Sequence, residues 1–277
     1  MNHLLRGHAP LTETAWKTID DEARSRLTTN LAARKLVDFR GPHGWEYSAT
    51  PVGRVSPLRS PPADGVRAQL RKTLPVMELR AAFTVDRAEL AAVDRGAQDV
   101  DLSGLEEAAR RIAVTENSVV FHGYSEAGIV GIAEASSHPV LELGADTGTY
   151  PRTVAKAVAL LRRAGIGGPY GLAIDPEGYT AVLEATEHGG YLLVNHLRQI
   201  LDGPVVRAPG VRGAVVLSQR GGDFVIESGQ DLSVGYSAHT ADTVELYLEE
   251  SFTFRVTEPD AAVVLAPAAD RPVAGQA

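Results

Sequence analysis

Eight histidines and no cysteine open the chemical inventory of this chain. His3, His8, His43, His122, His138, His188, His196 and His239 include no pair at the i, i+4 spacing that would aim two imidazoles from one helix face at a metal ion. His188 and His196 could approach each other across HGGYLLVNH, but the glycines between them leave that distance open. The lack of cysteine excludes disulfides, thiolate zinc sites, iron–sulfur ligation and a cysteine nucleophile. No G-x-S-x-G elbow, G-x-x-x-x-G-K-[ST] loop or H-E-x-x-H pair occurs. GIGGP (165–169) ends in proline where a dinucleotide-binding loop would begin a helix, so it reads as a helix stop. The adjacent acids Glu106–Glu107 and Glu249–Glu250 read as solvated faces, because neither pair has a local reason for unequal proton affinities. No catalytic residue, metal site or cofactor is expected.

The elements that would position any site are more legible. In TETAWKTIDDEARSRLTTNLAARKLVDF, the residues Trp16, Ile19, Ala23, Leu27 and Leu31 step by three and four, which predicts a helix with one apolar face. Its acids Asp20, Asp21 and Glu22 precede Arg24, Arg26, Arg34 and Lys35, an order that suits the helix dipole. The prolines and glycine of SPLRSPPADG forbid a buried regular element and predict an extended arm. Beyond it, Val76, Leu79, Phe83 and Val85 read as buried β-positions. A hairpin-like excursion here would bury little of its own surface and would need another chain or the body of the fold to cover it.

A long central helix follows in DLSGLEEAARRIAVTENSVVFHG, with Ser103 and Glu106 spaced as a capping box and Leu105, Ala109, Ile112 and Val119 near helical spacing. Another helix begins near Pro151 and carries Val154, Val158 and Leu161 on one side. The run YGLAID, PEGYTAVLEAT, EHGGY, LLVNHLRQIL then predicts strand, helix, loop and helix. In TVELYLEESFTF and the residues after it, Val244, Leu246, Leu248, Phe252, Phe254 and Val256 alternate with Glu245, Glu249, Thr253 and Arg255, which predicts one core face and one polar face. Glu250 breaks the inward pattern, so either a bulge intervenes or the acid has a partner.

With 277 residues and 44% hydrophobic content, the chain can bury a substantial core. A formal charge of −8 disfavours a protein whose task is to neutralise phosphate. No apolar run reaches bilayer length, and MNHLLRGHAP lacks the pattern of a signal peptide, so a cytoplasmic location is expected.

Several stretches, taken in order, resemble the encapsulins, the linocin-like shell proteins of bacterial nanocompartments. They are HAPLTETAWKTIDDEAR, NLAARKLVDFRGPHGWEYSA, RKTLPVMELRAAFTVDRAELAAVDRG, VDLSGLEEAARR, VVFHGY, GIGGPYGLAI, RGGDFVIESGQDLSVGY and VELYLEESFTF. The resemblance implies an α+β fold of the tailed-phage major capsid type with a P-domain, an E-loop and an A-domain. Its expected division is 1–48 for the N-terminal helix and start of the P-domain, 49–75 for the E-loop and 76–136 for the P-domain with its spine helix. The A-domain is expected at 137–218, a P-domain β-segment at 219–265 and a disordered tail at 266–277.

By the same resemblance, the chain would self-assemble into an icosahedral shell, with sixty subunits expected because no large inserted domain is present. The shell would enclose a cargo enzyme bearing a C-terminal targeting peptide, such as a dye-decolorizing peroxidase or a ferritin-like protein, with roles in oxidative stress or iron storage. Cargo-peptide contacts would come from Leu27, Leu31, Arg34, Val37, Asp38, Asp231, Leu232, Val234 and Tyr236. Packing of helix against sheet is the ordinary reading of many of these positions. A five-fold pore loop would comprise Thr186, Glu187, His188, Gly189, Gly190 and Tyr191, where an imidazole titrating near about pH 6.5 could offset a ring of acids. Ala88 stands where some relatives carry an aromatic residue associated with flavin, so no flavin is expected. A prophage capsid protein, and a protease or bacteriocin, are the alternatives.

Overall fold

In the computed structural model, the described residues are 3–60, 63–187 and 190–267. Helix α1 (Glu13–Asn30) begins where the Thr12 side chain accepts a hydrogen bond from the Ala15 N–H, and it buries Trp16, Ile19, Ala23 and Leu27. It ends sooner than its sequence pattern suggests. Arg34 and Lys35 occupy a separate 3-10 turn, Ala33–Lys35, because the Asn117 side chain accepts the Ala32 and Ala33 N–H groups that a continuing helix would use itself.

Strand β1 (Asp38–Arg40) leads to a ribbon of β2 (Ala49–Pro57) and β3 (Gln69–Pro75), antiparallel from Ala49↔Pro75 to Pro57↔Gln69. Prolines fit here because each strand of a lone pair has an edge with no ladder to interrupt. The ribbon is largely exposed, and Val55, Leu58, Val66 and Leu70 lie on its strands and tip facing solvent.

Next come β4 (Met77–Asp86), α2 (Arg87–Asp94) and the long α3 (Ser103–His122). The expected capping box does not form. Ser103 is already inside the helix, its N–H is accepted by Asp101, and Glu106 is bound by Arg26 across to α1. The compact second lobe contains α4 (Ile132–Ala135), β5 (Leu141–Glu142), α5 (Tyr150–Arg163), β6 (Tyr170–Ile174), α6 (Pro176–Glu184), α7 (Leu193–Leu201), β7 (Val205–Arg207) and β8 (Ala214–Ser218). Gly165, with φ of 78°, lies just past the end of α5, as the helix-stop reading of GIGGP expects. The chain finishes with β9 (Phe224–Ser228), β10 (Ser233–His239), β11 (Thr243–Val256) and β12 (Ala262–Ala266).

Two five-stranded sheets organise these elements. The first runs β1-β9-β11-β10, with β4 also paired to β11; the second runs β5-β12-β8-β6-β7. Thus β12, expected with the P-domain β-segment and reaching into the expected tail at Ala266, pairs instead in the second sheet. Residues 268–277 of that tail lie outside the described residues. Helix α3 serves both cores: Leu105, Ala109 and Ile112 pack with α1 and the first sheet, while Val119, Val120 and Phe121 belong to the core of the second lobe.

Strand β11 departs from the expected alternation. Its even face is core, but Tyr247, Glu249, Ser251 and Thr253 on the odd face are buried as well. The loop after β1 and the segment around His3 cover that face: His43 N–H is accepted by Ser228, Gly44 N–H by Gly229, and His3 approaches Glu249 at 3.3 Å. Glu249 and Glu250 are each 1% exposed, so they are not a solvated pair; Glu106 and Glu107 are exposed or nearly so.

Candidate functional site

A groove of about 440 Å³ opens between α1 and the start of β10. Leu27 and Leu31, one helical turn apart, and Arg34 from the following 3-10 turn form one side; Asp231, Leu232, Ser233 and Val234 form the other. The segment Leu4–Arg6 supplies a wall. Its Leu4 carbonyl accepts the Tyr236 N–H at 2.9 Å, and Arg6 grips Asp20 through two hydrogen bonds of 3.1 and 2.7 Å while lying 4.0 Å over Trp16. Strand β10 can lie flat there because Gly235 has no side chain: a Cβ would stand 2.2 Å from the Tyr247 ring.

Beneath the groove, Arg34 binds three acids from three parts of the chain. Its Nε donates to Glu116 Oε2 at 2.7 Å, Nη1 to Asp231 Oδ1 at 2.7 Å and Nη2 to Glu250 Oε2 at 2.8 Å. Its guanidinium also lies 4.7 Å over the Phe39 ring. Burial alone would lower the Arg34 pKa, but Glu116, Glu250 and Asp231 together raise it above the ordinary value, so it stays charged. Glu250 shows the opposite imbalance. Burial, then the neighbouring Glu116, push its pKa well up, and Arg34 offsets this only in part. The partner that the sequence pattern asks of Glu250 is therefore Arg34, not a bulge. Asp231 is the member that faces outward, 40% exposed, and its Oδ1 also accepts the Leu232 N–H.

Six of the nine expected peptide contacts, namely Leu27, Leu31, Arg34, Asp231, Leu232 and Val234, line this groove. Val37 and Asp38 lie apart, in a smaller hollow of about 90 Å³ with Gly221 and Gly222, where Asp38 accepts the Gly222 N–H at 2.5 Å. The 3-10 turn rotates them away from the α1 face. Tyr236 is 9% exposed in the first core and hydrogen-bonds His239, so it lines neither hollow. Sequence reasoning missed Leu4, Arg6, Asp20 and Arg24 as groove residues, and Glu116 as the acid below it.

The loop between α6 and α7 closes through a Thr186↔Leu192 bridge, with the Glu187 N–H donating to Tyr191 and the Gly190 N–H to Glu187. Gly190, with φ of 79°, permits this turn. Glu187 meets His196 Nδ1 at 2.9 Å, and Tyr191 and Leu192 are exposed. His188 and Gly189 lie outside the described residues. Among the described residues there is no cluster of acids and histidines able to hold a metal ion.

Known proteins share both the sequence pattern and the architecture. The family model Linocin_M18, "Encapsulating protein for peroxidase", matches residues 1–253. The chain is 47% identical over 270 residues to the type 1 encapsulin shell protein of Rhodospirillum rubrum, covering 96% of each chain. It is 42% identical over 266 residues to that of Rhodococcus erythropolis, covering 96% of this chain and all of the relative. Among solved structures, it is similar to a virus-like particle from Pyrococcus furiosus, with a TM-score of 0.61, 20% identity, and 90% and 98% of the two chains covered. It is also similar to Gordonia phage Cozz, with a TM-score of 0.53, 15% identity, and 87% of each chain covered.

Proposed function

The chain belongs to the encapsulin shell-protein family and has the tailed-phage capsid fold, and from that premise we propose that it is a non-catalytic shell subunit that encloses a cargo enzyme. The capture site is the groove between α1 and β10, which receives an extended C-terminal peptide of the cargo: Leu27, Leu31, Leu232 and Val234 take its apolar side chains, and Asp231 fixes its register. Asp38 would act only at a separate point, and Arg34 supports the groove from beneath. The single observation that carries this reading is the groove itself, a channel that sets Leu27, Leu31, Leu232 and Val234 among charged groups, with the Asp231 carboxylate held in place by the largely buried Arg34 guanidinium.

Self-assembly is supported by the β2–β3 ribbon, whose exposed apolar residues have no cover within the subunit. A repeated heterologous contact of this kind closes a shell around symmetry axes, and sixty copies is the stoichiometry proposed. The α6–α7 loop would line a pore at the five-fold axis. The cargo would be a peroxidase, in keeping with the family description, or a ferritin-like protein. No described helix is long and apolar enough to cross a membrane, and the cytoplasm is the proposed compartment.

The test is electron microscopy of the protein expressed alone and then with a candidate cargo, intact or lacking its C-terminal residues. Hollow spheres that retain only intact cargo are expected. Small oligomers at high concentration would overturn the shell reading, and retention of truncated cargo would overturn the groove reading. The phage-capsid alternative draws on the same fold, but a formal charge of −8 opposes nucleic acid as cargo.

A further inference from the structure

Glu116 on α3 and Glu250 on β11 are 0% and 1% exposed, and their carboxyl groups meet under the groove. Both use Oε2 to accept from Arg34, and both Oε1 atoms are buried without a donor among the described residues. Two ionised carboxylates cannot share such a site cheaply, because neither can donate to the other and water is excluded. One proton between them resolves both defects: it gives an orphaned oxygen a donor and removes one of two like charges.

We propose that Glu116 and Glu250 are positioning residues for the groove, holding one shared proton that lets Arg34 reach out to Asp231, and that loss of this proton draws Arg34 inward and releases Asp231. The charged groups that face the pair are Arg34 from the 3-10 turn and Asp231 from the loop between β9 and β10. With the proton in place, Arg34 divides its donors among one net negative charge below and Asp231 at the groove surface. Without it, two full charges below compete with one partly solvated carboxylate 2.7 Å away on the other side. The guanidinium favours the buried pair, because attraction is stronger where the surroundings are less polarisable. Asp231 then loses its fixed orientation, and with it the Leu232 N–H loses its acceptor at 2.8 Å. Peptide capture would weaken at alkaline pH as a consequence, which rests on the groove reading above; the movement of Asp231 does not.

Hydrogen–deuterium exchange of the assembled, cargo-free shell tests this directly, read in the peptide that carries Leu232 and corrected for the intrinsic pH dependence of exchange. Between about pH 5 and about pH 9, the span in which buried glutamates are known to titrate, protection at Leu232 should fall by about tenfold, the equivalent of one pKa unit of coupling. In Glu250→Gln, which keeps an acceptor for Arg34 but carries no titratable proton, protection should stay level across the range. Glu116→Gln should behave alike, and it serves where the first variant fails to assemble. A level profile in the unmodified shell, or the same fall in both glutamine variants, would overturn the proposal. Because no cargo is present, the outcome is independent of what the groove binds.

Discussion

Arg34 and Glu116 stand 82 positions apart in sequence and 2.7 Å apart in space, joined by a hydrogen bond that ties the turn after α1 to the middle of α3. Glu116 is fully buried, so no solvent stands ready to replace that bond. Removing the guanidinium would leave buried acids without their counter-charge, and breaking such a pair typically costs about 3–5 kcal/mol. Arg34→Ala should therefore lower the thermal unfolding temperature of the subunit sharply and reduce shell yield. Arg34→Lys, which offers one point charge in place of a planar fork, should recover only part of the loss.

Glu250 gives stability a pH dependence of definite sign. Its folded-state pKa is raised by burial and by Glu116, so between the ordinary glutamate value and the raised one the folded chain holds more protons than the unfolded chain. Stability is then greatest at the acid end of that window and falls as pH climbs through it, by up to about 1.4 kcal/mol per pH unit for one proton. Denaturation curves at a series of pH values should show this slope, and Glu250→Gln should flatten it.

Leu232 lies on the groove wall, packed only in part against the first core, so a charge there should leave the fold intact. Leu232→Glu should produce normal shells with cargo loading reduced about tenfold or more, equivalent to roughly 1.4 kcal/mol of lost apolar anchoring. Densitometry of cargo against shell in purified particles gives the ratio; undiminished loading would remove the groove from the capture mechanism.

The ribbon of β2 and β3 should matter to assembly and not to folding. Leu70 is 61% exposed within the subunit, so Leu70→Asp loses little inside the chain. The expected product is a folded subunit with an unchanged circular dichroism spectrum that elutes as a small species in place of a shell. Closed particles from this variant would show that the ribbon contributes little to the contact between copies.

Glu187 and His196 are each more than a third exposed or close to it, so their pairing contributes at most about 1 kcal/mol of stability. Its effect should be on permeation. Glu187→Lys would reverse one charge in every copy around the axis, and uptake of small cations into the shell should slow several-fold while that of small anions quickens. Stopped-flow detection with an encapsulated indicator reads this; unchanged rates for both would place the pore elsewhere.

The face of α1 is legible in the sequence because Trp16, Ile19, Ala23 and Leu27 repeat at a period that only a helix satisfies. Glu250 is half-legible: its position in the inward register of β11 demands an explanation, yet nothing nearby supplies one. Its partners come from Arg34 and Glu116, which are distant in sequence, and a glutamate inside a helix full of charged neighbours looks solvated until another segment covers it. Glu249 illustrates the same limit, since the alternation that marks it as outward cannot reveal the loop and the His3 segment laid over it. Val37 and Asp38 separate from Arg34 because Asn117, far along the chain, ends the helix early. Leu4 and Arg6 belong to a segment too short and irregular for any period to announce.

Strand β12 sits between β5 and β8, so an interior place in the second sheet, next to its edge strand, is filled by some of the last described residues. While the ribosome is still short of Ala266, β5 has no strand to pair with in that sheet and β8 has β6 as its one neighbour there. The second sheet is thus completed only once Ala262–Ala266 have been made.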